Sequence, residues 1–357
     1  MNHLELFSGI GGFRRALDLL TKDGLMPFEC VGYSEIDAKA KRTYQANYNT
    51  EGETDIGDIV SFTEKVENIR ALKHFDLLTG GFPCQTFSVM GGQKGFDEDR
   101  GQMFFRIMDI IHERHPRYVL LENVKNLYRH DGGNTYAKIH SELSREGYKV
   151  FPNIFNTLDF HLPQKRSRVL IFATLEDVPS DFAKMYTSEA VKKLFDLNYK
   201  KLSISHYKTT LDILEHKVDE KYFLSDKIKP TILADGSANF KSRSEINQSI
   251  ARTLTASMHK MHRACQDNYY SQDFIESGGK INHVVDYTKE QLAQLAIRKL
   301  TPQEAFMLQG FPAEFATNGQ NAKVANGSLY KQAGNAVSVN VIYAVFYYLI
   351  RNNIIHE

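Results

Sequence analysis

Between residue 3 and about residue 174, short apolar runs alternate with segments whose apolar residues recur at helical spacing. His3 to Phe7, Glu29 to Ser34, Asp76 to Gly80, Tyr118 to Glu122 and Arg168 to Thr174 predict strands. Phe13 to Leu20, Asp37 to Asn47, Gly101 to His115 and Thr135 to Glu146 predict helices between them. This alternation predicts an α/β fold: a doubly wound, mostly parallel sheet covered by helices on both faces, with ligands held at the carboxyl ends of the strands. Around Asp177 to Asp181 the alternation stops. A polar stretch with short β-like pieces, Lys229 to Leu233 and Ala251 to Ala256, predicts a second, smaller, β-rich domain. Periodicity returns in Thr301 to Leu308, and the apolar Val337 to Ile350 predicts a buried helix that rejoins the first domain. The expected division is residues 1–178 with 325–357 in one domain, and 179–324 as the second domain and hinge.

Composition narrows the class. With 357 residues, 42% hydrophobic and 24% charged, the chain is long enough to bury a full core, and collagen-like, disordered and membrane-spanning classes fit poorly. The run Val341 to Ile350 is shorter than a bilayer-spanning helix needs, and the N-terminal residues lack a signal-peptide pattern. Cys30, Cys84 and Cys265 offer neither a complete disulfide set nor zinc-ligand spacing, which predicts a reducing, cytoplasmic setting. A net charge of +1 argues neither for nor against nucleic acid, and residues 179–300 carry only a modest excess, 19 Lys and Arg against 15 Asp and Glu.

The candidate chemistry lies just after the expected strands. Phe7-Ser8-Gly9-Ile10-Gly11-Gly12-Phe13 reads as a strand entering a Gly-rich turn and a helix, where the backbone can approach a ligand closely. It lacks the Gly-x-Gly-x-x-Gly spacing and the Gly-Lys-Ser/Thr ending of a phosphate loop. Glu35, after the second strand, is placed to accept from a ribose diol, and Asp58, after the next, from an adenine amino group. Each alone is also what an ordinary turn or surface acid looks like. In order at three strand ends, they favour an adenosine-containing cofactor without a phosphate tail. Cys84, on the loop Gly80 to Gln85, is either a catalytic thiolate or a buried inert thiol. Glu122 closes an apolar strand, where solvation does not explain an acid. Arg166 and Arg168 alternate in Gln164-Lys165-Arg166-Ser167-Arg168 and so share a side. A thiolate, an acid and arginines around one pocket suit attack on carbon 6 of a pyrimidine, with the acid at ring nitrogen 3 making carbon 5 nucleophilic. In duplex DNA such a base has to be flipped out.

These residues resemble the DNA (cytosine-5)-methyltransferase family over nearly the whole chain except the middle. Leu6 to Phe13 resembles its S-adenosylmethionine motif, and Phe82-Pro83-Cys84-Gln85-Thr86-Phe87-Ser88 its nucleophile motif, continued by Gly91 to Phe96 and Asp99-Arg100-Gly101. Glu122-Asn123-Val124 resembles the acid motif and Gln164 to Arg168 the Gln-x-Arg-x-Arg motif. Arg298 to Glu304 with Gln309-Gly310-Phe311-Pro312 resembles the motif that supports the recognition domain, and Gly334-Asn335-Ala336-Val337 the last cofactor motif. The resemblance implies a Rossmann-like S-adenosylmethionine-dependent fold with a target recognition domain. It implies Cys84 as nucleophile, Glu122 at the cytosine ring, and Arg166 and Arg168 as ring or loop-ordering contacts. Cofactor contacts are implied for Phe7, Ser8, Gly9, Ile10, Gly12, Glu35, Ile36, Asp58, Ile59, Pro83, Asn335, Ala336 and Val337, and DNA contacts for Gln85, Ser88, Arg100, Arg252, Thr253, Thr255, Lys260 and Arg263. Glu5 stands where many members have Asp, and Met90 where smaller residues are common. His259 and His262 lack the neighbours of a metal site. The resemblance further implies a monomer on double-stranded DNA, S-adenosyl-L-homocysteine as product, no membrane partner and, in restriction-modification systems, a cognate endonuclease for the same site. The same chemistry on tRNA, and a catalytically silent DNA-binding protein, remain as alternatives.

Overall fold

The computed structural model describes residues 1–83, 102–236 and 242–357. Seven strands form one sheet: β1 (Asn2–Leu6), β2 (Glu29–Tyr33), β3 (Thr54–Asp55), β4 (Leu77–Gly81), β5 (Tyr118–Val124), β6 (Lys149–Asn156) and β7 (Ser167–Thr174). Their order is β3-β2-β1-β4-β5-β7-β6. Neighbours among the first five strands are parallel, and β7 runs antiparallel to both β5 and β6. The chain winds outward from β1 to β2 on one side and to β4 on the other, which opens a crevice at the strand carboxyl ends. Helices α1 (Gly12–Lys22), α2 (Ala38–Gln45), α3 (Ile59–Thr63), α4 (Val66–Arg70), α5 (Gln102–Arg114) and α6 (Asn134–Arg145) connect the strands.

Alternation along each strand divides the interior into two cores. Leu78, Val119, Leu121, Val169 and Ile171 face Phe104, Ile107 and Ile111 of α5. Leu77, Leu120, Leu170 and Phe172 face the other way, toward Phe13, Leu17 and Leu20 of α1. The expected strands and helices are present to within about two residues at their ends. Two strands escape the pattern. β3 is two residues long, and β6 is an edge strand that carries Pro152 and is half-buried along most of its length, so its apolar contrast is weak.

After β7 come α7 (Phe182–Met185), α8 (Ser188–Asn198), α9 (Lys229–Leu233), α10 (Gln272–Glu276), α11 (Lys289–Leu292), α12 (Pro302–Met307), α13 (Ala313–Asn321), α14 (Asn326–Asn335) and α15 (Val339–Arg351). The expectation of a β-rich second domain is corrected here. Among the described residues its strands are β8 (Tyr269–Ser271) and β9 (Ile297–Lys299), three residues each. Lys229 to Leu233 is helical because Pro230 sits in the first turn, where a missing N–H is harmless. Ala251 to Ala256 is not a ladder strand: Ala251 makes an isolated bridge with Gln164, and the Leu254 N–H donates to the Gln164 side chain at 2.9 Å. Phe182, Val191, Phe195, Ile213 and Leu214 pack into the α1 core, whereas Leu224, Ile232, Tyr269, Leu292 and Ile297 form a small core of their own. The two cores interleave along the chain, since Ala251, Leu254, Tyr270 and Phe274 also pack into the α1 core. The stretch Asn326–Arg351 is long and apolar enough to cross a membrane by length and composition, but 89% of its apolar window is buried inside the protein, where α15 packs on α1.

Candidate active site

The ends of β1, β2, β4 and β5 and the antiparallel start of β7 meet around a cleft of ≈ 430 Å³. The turn after β1 is held in an uncommon backbone conformation: Phe7, Gly9 and Gly11 have φ of 53°, 56° and 80°. Glycine adopts this region freely, whereas Phe7 is strained there and is fixed by donating its N–H to Ser34 Oγ at 2.9 Å. Glu35 ties the turn to α2, accepting from Gly9 N–H at 2.8 Å and Asp37 N–H at 2.7 Å. Burial pushes its pKa up. Each of its oxygens keeps a second lone pair for a ligand hydroxyl. A Cβ on Gly12 would lie 2.4 Å from Val337 Cγ2, so only glycine lets α1 start against the last motif.

The residues present fit an adenosine-bearing cofactor. Ile36, 75% exposed, offers the cleft an apolar face for a ring, and two buried polar atoms in its lining, Ser8 Oγ and Gln332 Nε2, have no hydrogen-bond partner among the described residues. Phe7, Ser8, Gly9, Glu35, Ile36, Pro83, Asn335, Ala336 and Val337 line the cleft as expected. Ile10, Gly12, Asp58 and Ile59 are not in its lining. Ile10 and Ile59 point into the two cores, and Asp58 caps α3 by accepting from Val60 N–H at 3.0 Å.

At the other end of the cleft Glu122 is largely but not fully buried, its side chain 12% exposed and its Oε1 3.0 Å from Arg168 Nε. Desolvation raises its pKa, against the opposing pull of Arg168 and Arg166. Gly81 packs beside the carboxyl: a Cβ there would make ordinary contact with Glu122 Oε2, at 3.4 Å. Asn123 Nδ2 donates to Phe82 O at 2.9 Å and fixes the chain just before the expected nucleophile. Cys84, Gln85, Ser88, Met90 and Arg100 lie outside the described residues.

Arg166 and Arg168 do not act as a matched pair. Arg166 is buried and donates to the Leu254, Gly334 and Ala336 carbonyls at 3.1, 3.2 and 2.9 Å. It braces the recognition segment against the last cofactor motif, and Arg168 alone bonds to Glu122. Phe13, Gly81 and Val124, named in the sequence only as parts of motifs, also line the cleft, as do Asp37, Ala40, Lys331 and Gln332, which sequence reasoning passed over as site residues. The Lys331–Asp37 ion pair at 2.8 Å joins α14 to α2 there. The position of Lys331 and Gln332, just ahead of Gly334-Asn335-Ala336-Val337, was the available signal.

Of the expected DNA-contacting residues, Arg252, Thr253 and Thr255 line a neighbouring cleft of ≈ 610 Å³, together with Lys165, Ser257, His262, Cys265 and Gln266. Lys260 and Arg263 are not in its lining, and Arg263 donates to Asp235 O at 2.7 Å.

The sheet order, its antiparallel β7 and the crevice at the strand ends define a Rossmann-like methyltransferase fold. The family model for C-5 cytosine-specific DNA methylase matches residues 1–351, and the chain belongs to that family. It is 34% identical over 347 residues to the type II methyltransferase M1.ScrFI of Lactococcus lactis subsp. cremoris, covering 96% of this chain and 76% of that one. It is also 34% identical over 343 residues to the type II methyltransferase M.NlaX of Neisseria lactamica, covering 96% and 94%. The orphan methyltransferase M.SPRI of Bacillus phage SPR is 28% identical over 440 residues, covering 99% and 98%. In fold it is similar to the Dnmt2 methyltransferase of S. pombe, with a TM-score of 0.75 and 21% identity over the whole of both chains.

Proposed function

We propose that the chain transfers a methyl group from S-adenosyl-L-methionine to carbon 5 of a flipped-out cytosine in double-stranded DNA, within one short sequence. The largely buried Glu122, held by Arg168 at the end of the cleft opposite Glu35, carries the reading. The cofactor supplies an electrophilic methyl group. Glu35 and Ser8 hold its ribose end, Ile36 packs on the adenine, and Asn335 to Val337 wall the pocket. Cys84 as thiolate adds to carbon 6, and Glu122 gives a hydrogen bond or proton to ring nitrogen 3, which its raised pKa favours. Carbon 5 takes the methyl group, leaving S-adenosyl-L-homocysteine, and then gives its proton to a base. Elimination of the thiolate, with return of the nitrogen 3 proton to Glu122, restores the ring. Arg168 orients Glu122, and Arg166 keeps the cofactor wall and the recognition segment in register.

In this reading the protein acts as a cytoplasmic monomer beside a cognate restriction endonuclease for the same site; its relatives M1.ScrFI and M.NlaX are named type II methyltransferases. The test is base-resolution mapping of 5-methylcytosine in DNA from a methylation-free bacterial host expressing the protein or its Cys84→Ser form. Full methylation of one motif, lost in the variant while purified variant and wild type bind that DNA within a few-fold of each other, is expected. Unmethylated DNA with the mark found in tRNA of the same cells would overturn the DNA reading.

A further inference from the structure

The recognition cleft contains one cation that is already set for use. Arg252 is half-buried, and its position is fixed at both ends. Its main chain exchanges hydrogen bonds with the Asn268 side chain at 2.8 and 3.2 Å, and its Nε donates to Ala264 O at 3.0 Å. This orientation leaves the two terminal nitrogens without a partner among the described residues. Two parallel N–H bonds from such a fork match the O6 and N7 acceptors on the major-groove edge of guanine, the commonest specific contact between an arginine and a base. The lining supports a base rather than a carboxylate as its target: the other groups are Lys165, hydroxyls, His262, Cys265 and Gln266. His262 is not free to compete for the fork, because its ring bonds Asp267 at 3.1 Å.

The cleft also lies beside the chemistry. Lys165 is the neighbour of Arg166, which lines the catalytic cleft, and a Cβ on Gly334 of that cleft would be 2.2 Å from the Thr255 carbonyl carbon. A base read here therefore lies close to the target.

We propose that Arg252 determines specificity, reading a guanine next to the target cytosine through a bidentate contact in the major groove. This rests on the DNA reading above. Arg252 makes no contact with Glu122 or the cofactor lining, so its removal should alter which sequences are methylated rather than the chemistry.

The test begins with the motif mapped for the wild type in the methylation-free host, then repeats the mapping with Arg252→Lys and Arg252→Ala. Steady-state rates are compared on duplexes carrying guanine or 7-deazaguanine at the flanking position, the latter lacking N7. Relaxation of the motif at that one guanine is expected, with wild-type kcat/KM falling about 5- to 140-fold on 7-deazaguanine and the variants nearly indifferent to it. Cofactor affinity within twofold of wild type shows that the variants fold. Variants that fold and keep the wild-type motif and 7-deazaguanine sensitivity would overturn the assignment of Arg252 alone, as would a motif without a guanine next to the target cytosine. Absence of any DNA methylation by the wild type would overturn it together with the DNA reading.

Discussion

Glu5 illustrates how much one buried carboxyl can impose. Alternation along β1 sends Leu4 and Leu6 to one core and Glu5 to the other face, where it accepts from Arg14 N–H at 3.3 Å and Tyr44 OH at 3.2 Å. It serves the start of α1 as a cap brought in from a strand, because Gly11 at that helix end has no side chain to offer. Desolvation pushes its pKa from 4.5 up to about 8. Relative to the unfolded chain, the folded protein therefore holds this proton more tightly. The associated stability is complete below the ordinary carboxylate value and is lost as pH rises through about 8. Glu5→Gln keeps an acceptor but cannot ionise. Its melting temperature is expected to fall less than that of wild type between about pH 6 and about pH 9, as calorimetry can measure. Identical pH profiles would show that Glu5 is already charged in the fold. At this scale the sequence picks out Glu5 as a departure from the family pattern, but only the strand's facing explains why the residue matters.

Two contacts join elements that follow β7. The first is the fully buried ion pair Arg298–Glu304, bidentate at 2.9 and 2.7 Å. Glu304 also accepts from Thr301 N–H at 2.7 Å, completing the α12 capping box, and from Glu215 N–H at 2.8 Å. Glu304→Gln leaves the Arg298 charge buried without its partner, and a loss of about 3–5 kcal/mol of unfolding free energy is expected in denaturant titration. The second is the approach of Gly334 to the Thr255 main chain, too close for any Cβ. Gly334→Ala forces apart the two segments that Arg166 bonds together, and about 1–3 kcal/mol of destabilisation is expected, with weaker cofactor binding measured by calorimetric titration. Unchanged cofactor affinity would mean that the wall tolerates the shift. Neither contact was legible beforehand. The motif order names Arg298, Glu304 and Gly334, yet the approach of Gly334 to Thr255 across 78 intervening positions cannot be inferred from periodicity.

Over the whole molecule a net charge of +1 hides the arrangement that a DNA enzyme needs, since charge counts average over all faces. If the DNA reading holds, affinity for the methylated duplex falls steeply with salt. A logarithmic slope of about 0.9 per phosphate contacted is expected from binding at a series of salt concentrations, and a flat line would deny a phosphate-gripping surface. The sequence by itself determined the α/β alternation, the strand-end placement of Glu35 and Glu122, and the family, because strand and helix periods and short motifs are local properties. The tertiary structure decided what depends on side chains distant in sequence. It turned the expected β-rich domain into mostly helical and irregular chain, in which Ala251 to Ala256 meets the Pro163–Lys165 main chain and the Gln164 side chain in place of a ladder. It also separated Arg166, spent on three main-chain carbonyls, from Arg168, left to face Glu122. Alternation can put two side chains on one side of a strand. What each one touches depends on which distant segments fold over it.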